Sequence, residues 1–233
     1  MTVSAFFRLV DRGLRWELAP LLMISAATAA AQTPGLPTGW QVLADYPANP
    51  VTVGIDPHPG SDFSFVRMPP GWHITTGPGM ILFNPSIIAK DRYRLEAEFF
   101  LFPHPSDQPV GIFVGGTGLE GPQDGVSWLG LLIRRDGTAG VIRNQGRQQQ
   151  VLIPYTRSDS LTPHPGGDSQ RVTLAIDVEP DSVRFLVNRA RVAAVGRGDA
   201  LFDGGFGFRV GQALNLHVVR LDYIQKLAPG RGQ

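Results

Sequence analysis

The sequence predicts an all-β domain, a sandwich or a barrel, and three observations carry that expectation. Long segments alternate apolar and polar residues with a period of two, the pattern of a strand with one buried face. The 28 glycines and 20 prolines are spread between short apolar runs, where they punctuate turns. No segment sustains a helical period for more than a turn or two.

The alternation is clearest in the last third of the chain. Val172, Leu174, Ile176 and Val178 alternate with Thr173, Ala175, Asp177 and Glu179. The turn Glu179-Pro180-Asp181-Ser182 follows, with proline's fixed φ suited to a tight turn. Val183, Phe185 and Val187 resume the pattern, Asn188-Arg189-Ala190 turns the chain again, and 191–195, 204–210 and 214–223 are further strands.

From the N-terminus, residues 1–31 have the form of an export signal. Arg8, Arg12 and Arg15 precede an apolar run from Leu18 to Ala31, and Ala29-Ala30-Ala31 has the small-x-small form of a signal-peptidase site. At roughly 14 residues the run is short for a membrane span. The expectation is cleavage before Gln32, a single domain over 32–233, and a periplasmic or extracellular location, with membrane attachment only if the segment is retained. Strands are expected at 40–45, 51–55, 62–68, 72–75 and 80–83. The longest is expected at 92–102, with Tyr93, Leu95, Ala97, Phe99 and Leu101 on its buried face and Arg92, Arg94, Glu96, Glu98 and Phe100 on the other. A strand at 110–114 leads into a Gly-rich loop, 115–125. Residues 127–134 are nearly all apolar, so either both faces of that strand are covered or one lines a groove. Asp136-Gly137 marks a hairpin to 139–143, and 148–153 is one more strand before a loop at 156–167.

With 21 basic and 20 acidic residues the chain is almost neutral, which gives no reason to expect nucleic acid or an acidic membrane surface as partner. Cysteine is absent, which excludes a disulfide scaffold and thiolate chemistry. There is no nucleophile elbow, P-loop, dinucleotide fingerprint or Cys/His zinc pattern, and no cofactor is expected.

Four stretches carry a resemblance. They are Gly71-Trp72-His73-Ile74 through Gly79-Met80-Ile81-Leu82; Asp91-Arg92-Tyr93-Arg94-Leu95-Glu96-Ala97-Glu98-Phe99; Val110-Gly111-Ile112-Phe113-Val114; and Arg171 to Asn188 with Gly205-Phe206-Gly207-Phe208 and Val218 to Tyr223. Over about residues 70–224 the chain resembles the concanavalin A-like (laminin-G/glucanase-type) jelly-roll sandwiches, most of all the secreted bacterial 3-keto-disaccharide hydrolase-like domains. The resemblance implies a jelly-roll sandwich of two antiparallel sheets and a saccharide ligand. The chain departs from the pattern where Arg189 follows Asn188 in place of glycine, and where Trp128-Leu129-Gly130-Leu131-Leu132-Ile133 replaces a polar strand.

Candidate functional residues follow from residue chemistry. Glu96 and Glu98 share a strand face about 6.7 Å apart, close to the carboxylate separations glycosidases use, although Arg92 and Arg94 on that face are ready ion-pair partners. Trp128, Phe100 and Tyr155 are flat rings that suit sugar C–H surfaces, and Asp124 lies in the loop before Trp128. His58, His104 and His164 each sit between prolines and would form a three-His metal site if their loops met; their spacing matches no metal motif, and the flanking prolines point to rigid exposed turns. Asp177, Glu179 and Asp181 fit either a calcium loop or a solvated hairpin edge. Three functions stay open: a secreted, non-catalytic carbohydrate-binding module with a glycan partner; a hydrolase of the 3-keto-disaccharide type; and a structural or adhesive envelope domain, whose ligand face would be filled or carry an apolar patch.

Overall fold

The computed structural model describes residues 33–45, 53–54, 63–104, 106–163, 168–198 and 202–227. The proposed export signal, and with it His58 and His164, lies outside these residues. In chain order the strands are β1 (Thr33–Pro34), β2 (Gln41–Ala44), β3 (Val53–Gly54), β4 (Phe63–Arg67), β5 (Trp72–Thr76), β6 (Met80–Phe83), β7 (Tyr93–Leu101) and β8 (Val110–Thr117). After a 3₁₀ turn at Gln123–Gly125 come β9 (Ser127–Ile133), β10 (Thr138–Gln145), β11 (Gln148–Arg157), β12 (Gln170–Val178), β13 (Ser182–Val187), β14 (Ala190–Gly196), β15 (Gly205–Val210) and β16 (Asn215–Gln225).

The strands form two sheets in the jelly-roll manner. One has nine strands in the order β1-β4-β5-β16-β7-β12-β13-β14, with β3 beside β4; the other has seven, β11-β10-β9-β8-β15-β6-β2. Every described pairing is antiparallel except β3 with β4. The C-terminal strands do not form one ribbon: β14 lies in the larger sheet, β15 in the smaller and β16 in the larger again.

The alternation seen in the sequence decides what enters the core. Leu95, Ala97 and Phe99 of β7 meet Val172, Leu174 and Ile176 of β12 and Phe206 and Phe208 of β15 in one buried cluster. β16, at 11 residues, is longer than β7, at 9, which corrects the expectation that the 92–102 strand is longest. The extra length arises because β16 runs past Tyr223 to pair Ile224 and Gln225 with Arg94 and Tyr93.

The turns form for local reasons. Gly137, at φ 83°, closes the β9–β10 hairpin, and the Asp136 carboxylate accepts from Thr138 N at 2.9 Å. Asn188 and Arg189, at φ 48° and 71°, make a tight hairpin turn. Arginine occupies a left-handed position that glycine fills at less strain. Asn188 offsets this by accepting from Thr173 N at 2.9 Å and donating to Ser160 O at 2.6 Å.

Tyr93 is fully buried, and its hydroxyl donates to Phe202 O at 2.6 Å, tying β7 to the segment before β15. Burial drives the phenol pKa far above its ordinary value, so the group is always a donor. Tyr93→Phe leaves that carbonyl without its partner and is expected to lower stability by about 1–2 kcal/mol in urea unfolding. A change indistinguishable from zero would mean that water replaces the hydroxyl.

Candidate functional site

β9 has two buried faces. Leu129, Leu131 and Ile133 enter the sandwich core, whereas Trp128 and Leu132 point outward into a second apolar cluster with Ile81, Phe83, Phe113 and Ile142. Leu119 and Val126 of the 118–126 loop complete this cluster over the sheet. Of the two alternatives left open for 127–134, the covered strand is the one found. Glycine makes the packing possible. A Cβ on Gly130 would stand 3.0 Å from the Trp128 ring, and one on Gly140 would stand 3.1 Å from the Tyr155 ring, so both aromatics lie close against bare backbone.

This changes the roles expected for the aromatic residues. Trp128 is 3% exposed and its ring centroid lies 6.1 Å from that of Phe113. It fills the cluster and presents no ring face for stacking on a sugar. Tyr155 is half-buried beneath the Arg134 guanidinium, 3.7 Å from the ring centroid. Phe100 is on the other side of the molecule, facing outward from β7 in the nine-stranded sheet opposite His217. It shares no surface with Trp128 and Tyr155. Asp124 is an exposed residue of the 3₁₀ turn, paired at 2.5 Å with Arg147; such a solvated pair adds little stability.

Beside the covered cluster, the same face carries a cleft of about 60 Å³ lined by Asp45, Gln123, Trp128, Asn144, Gln149 and Arg209, among others. The Arg209 guanidinium donates to Asp45 at 2.6 Å and to Met80 O at 3.0 Å. Gly79 leaves room for this pair, since a Cβ there would meet the Asp45 carboxylate at 2.2 Å. Gln123 donates to Asp45 O at 2.8 Å and so latches the 3₁₀ turn onto the end of β2. Asn144, 7% exposed, donates to Val126 O and Gly146 O, both at 3.1 Å. These residues escaped the sequence reading because they come from the residue after β2, from β10, β11 and β15, and from a loop. One signal was available: Arg209 interrupts the otherwise apolar run Gly205-Phe206-Gly207-Phe208.

The glutamate pair is built differently. Glu96 and Glu98 face outward from β7 in the nine-stranded sheet, inside a lattice of cations. Glu96 accepts from Arg94 at 2.7 Å and from Arg220 at 2.6 Å; Glu98 accepts from Arg171 at 2.7 Å and Arg220 at 3.3 Å. Burial alone pushes the Glu96 carboxyl up, but the bonds and charges of Arg94 and Arg220 outweigh it and hold the group below the ordinary carboxylate range. A glycosidase acid needs the opposite shift. Arg92, expected to pair on this face, reaches Glu179 at 2.8 Å. Asp177 binds Arg94 at 3.0 Å and Lys226 at 2.9 Å, and Glu179 binds Lys226 at 2.7 Å, so these two carboxylates are neutralised by side chains, whereas Asp181 accepts from the Ser182 hydroxyl at 3.0 Å. His104 lies in the loop after β7, and among the described residues no three His, Cys, Asp or Glu side chains gather as metal ligands.

No family model matches the chain, and no curated protein matches it in sequence. Solved structures do match. The endo-beta-1,3-glucanase from Pyrococcus furiosus superposes with a TM-score of 0.57 at 9% identity, covering 84% of this chain and 92% of its own. The carbohydrate binding module CBM66 from Bacillus subtilis gives 0.54 at 9% identity, covering 81% and 96%. A Bacteroides ovatus GH16 of a mixed linkage glucan locus, solved in complex with its G4G4G3G product, gives 0.54 at 8% identity, covering 79% and 94%. The fold is a concanavalin A-like jelly-roll sandwich. At these identities the likeness concerns the concanavalin A-like fold alone.

Proposed function

We propose that this concanavalin A-like domain is a non-catalytic carbohydrate-binding module, exported to the periplasm or cell exterior, whose saccharide sits at the Asp45–Arg209 cleft. The observation that carries the reading is the composition of that cleft. Carboxylate, guanidinium and amide groups meet at one point on an outer sheet face, and such planar groups form the paired hydrogen bonds that neighbouring sugar hydroxyls make. The fold supports it, since structural neighbours include a carbohydrate binding module and glucan-acting enzymes. The cleft is narrow, about 60 Å³. It therefore takes one edge of a sugar ring and leaves the rest over Gln149, the exposed β11 residue that shares the face of Asn144.

The test is a glycan panel scored by thermal shift, because a ligand of the native state raises the midpoint by mass action. Gln149→Ala, at an exposed position, is expected to remove at least tenfold of the affinity, a loss of roughly 1.4 kcal/mol, and Glu98→Gln to leave it unchanged. A saccharide shift that survives both Gln149→Ala and Asp45→Ala would sink the cleft assignment. Hydrolysis of a 3-keto-disaccharide, lost in Glu98→Gln, would restore the catalytic reading.

A structural role has one observation in its favour: the outer face of the seven-stranded sheet is largely filled by its own apolar cluster. That reading expects no midpoint shift with any saccharide.

A further inference from the structure

On the outer face of the nine-stranded sheet, His73 of β5 and His217 of β16 are directly opposite cross-strand partners, with ring centroids 6.3 Å apart. Asn215 lies two residues before His217 on the same strand. His217 Nε2 donates to Pro70 O at 2.8 Å. That bond defines the tautomer and leaves Nδ1 as a lone pair. Yet His217 Nδ1 is buried with no hydrogen-bond partner, and so are His73 Nδ1 and Asn215 Oδ1. Asn215 stands beside His73 without an aligned bond to it. His217 Nδ1 is left unmet and the His73–Asn215 contact is too poorly aligned to satisfy either atom, an expensive arrangement unless something meets them.

We propose that His73, His217 and Asn215 form a binding site for one divalent transition-metal ion of the imidazole-preferring class, such as Zn²⁺, completed by water. An imidazole whose second nitrogen is held by a backbone carbonyl is the usual outer-shell arrangement of a metal-ligating histidine, and Pro70 supplies it for His217. Two imidazoles on a tetrahedral zinc, at about 2.0–2.1 Å each, place their ring centroids roughly 5 Å apart. The observed 6.3 Å needs a closure of about 1 Å, within reach of side-chain torsions. The Phe102 ring, 5.2 Å from that of His73, and Phe100, opposite His217, supply an apolar wall. Asparagine oxygen is the third donor, standing where a carboxylate would otherwise complete the set. The inference does not rest on the saccharide reading, whose cleft is on the other sheet.

The experiment is titration of the full chain with Zn²⁺ alone, followed by calorimetry, and with Co²⁺, followed by its visible absorption. One equivalent is expected to bind in the micromolar range, with the cobalt band of a nitrogen-ligated ion. His217→Gln keeps an amide donor for Pro70 O, and His73→Phe keeps a ring beside Phe102, so each preserves packing. Each is expected to weaken binding by at least tenfold, whereas His104→Ala leaves it intact. Zn²⁺ binding unchanged in both variants would place the metal elsewhere and overturn the proposal. So would the absence of micromolar binding to the folded wild type, which would make the pair a hydrated one.

Discussion

Trp128→Ala lowers the free energy of unfolding by about 3–5 kcal/mol, the cost of emptying a buried indole site. The indole is 3% exposed, packs against Phe113 and lies close over Gly130. Gly130 has no side chain to move into the gap, and the strand beneath is held by β8 and β10 on either side, so the cavity stays open. Urea unfolding measures the change, with the slope unaltered if the denatured state is the same. The variant also separates packing from recognition. The indole forms part of the cleft wall but offers no exposed ring face, so the loss of saccharide affinity per folded molecule is expected to be a few-fold, smaller than that of Gln149→Ala. A loss below about 1 kcal/mol together with lost binding would reverse the assignment and return Trp128 to the ligand.

Arg220→Ala is the second large effect. Arg220 binds Glu96 at 2.6 Å, Glu98 at 3.3 Å, and Asp222. Its removal leaves those carboxylates on adjacent strands without their shared cation. The expected loss is about 2 kcal/mol at neutral pH, in the range of hydrogen bonds to charged groups. The side chain is 38% exposed, so the loss falls short of that for a fully buried pair. The pH dependence identifies the cause. Glu96 and Glu179 both titrate below their ordinary value of 4.5 in the folded protein. For Glu179 the bonds from Lys226 and Arg92 dominate the smaller opposing effect of burial. A carboxyl with a depressed folded pKa contributes stability that is fully present above the unfolded value and lost as pH falls through the folded one. Wild-type stability is therefore expected to decline below about pH 4.5, and the Arg220→Ala deficit to shrink over the same interval. A deficit constant from pH 7 to pH 3 would mean that the arginine stem contributes through packing.

Much of the fold was legible in the sequence because its signals are local. The β12–β13 hairpin shows its period, its proline turn and its buried face within about 16 residues, and Asp136-Gly137 marks its turn from two. The glutamate pair was also correctly placed on the outward face of its strand, since alternation alone decides that. Its partners were less accessible. Arg94 is two residues away, whereas Arg171 and Arg220 arrive from β12 and β16 through sheet order, which no periodicity encodes.

The candidate site illustrates the same division. Phe100 and Trp128 look alike as exposed-face aromatics, yet they lie on opposite sides of the sandwich because β7 and β9 belong to different sheets. Asp45 and Arg209 are 164 positions apart and meet at 2.6 Å only because β2 and β15 both flank β6. By itself the sequence determined the all-β class, the identity of most strands and which face of each is apolar, since these depend on steric preferences and polarity within a few residues. Tertiary structure alone decided which strands are neighbours, which outward faces are covered, and which polar groups meet or are left unpartnered, because those outcomes depend on contacts between segments far apart in the chain.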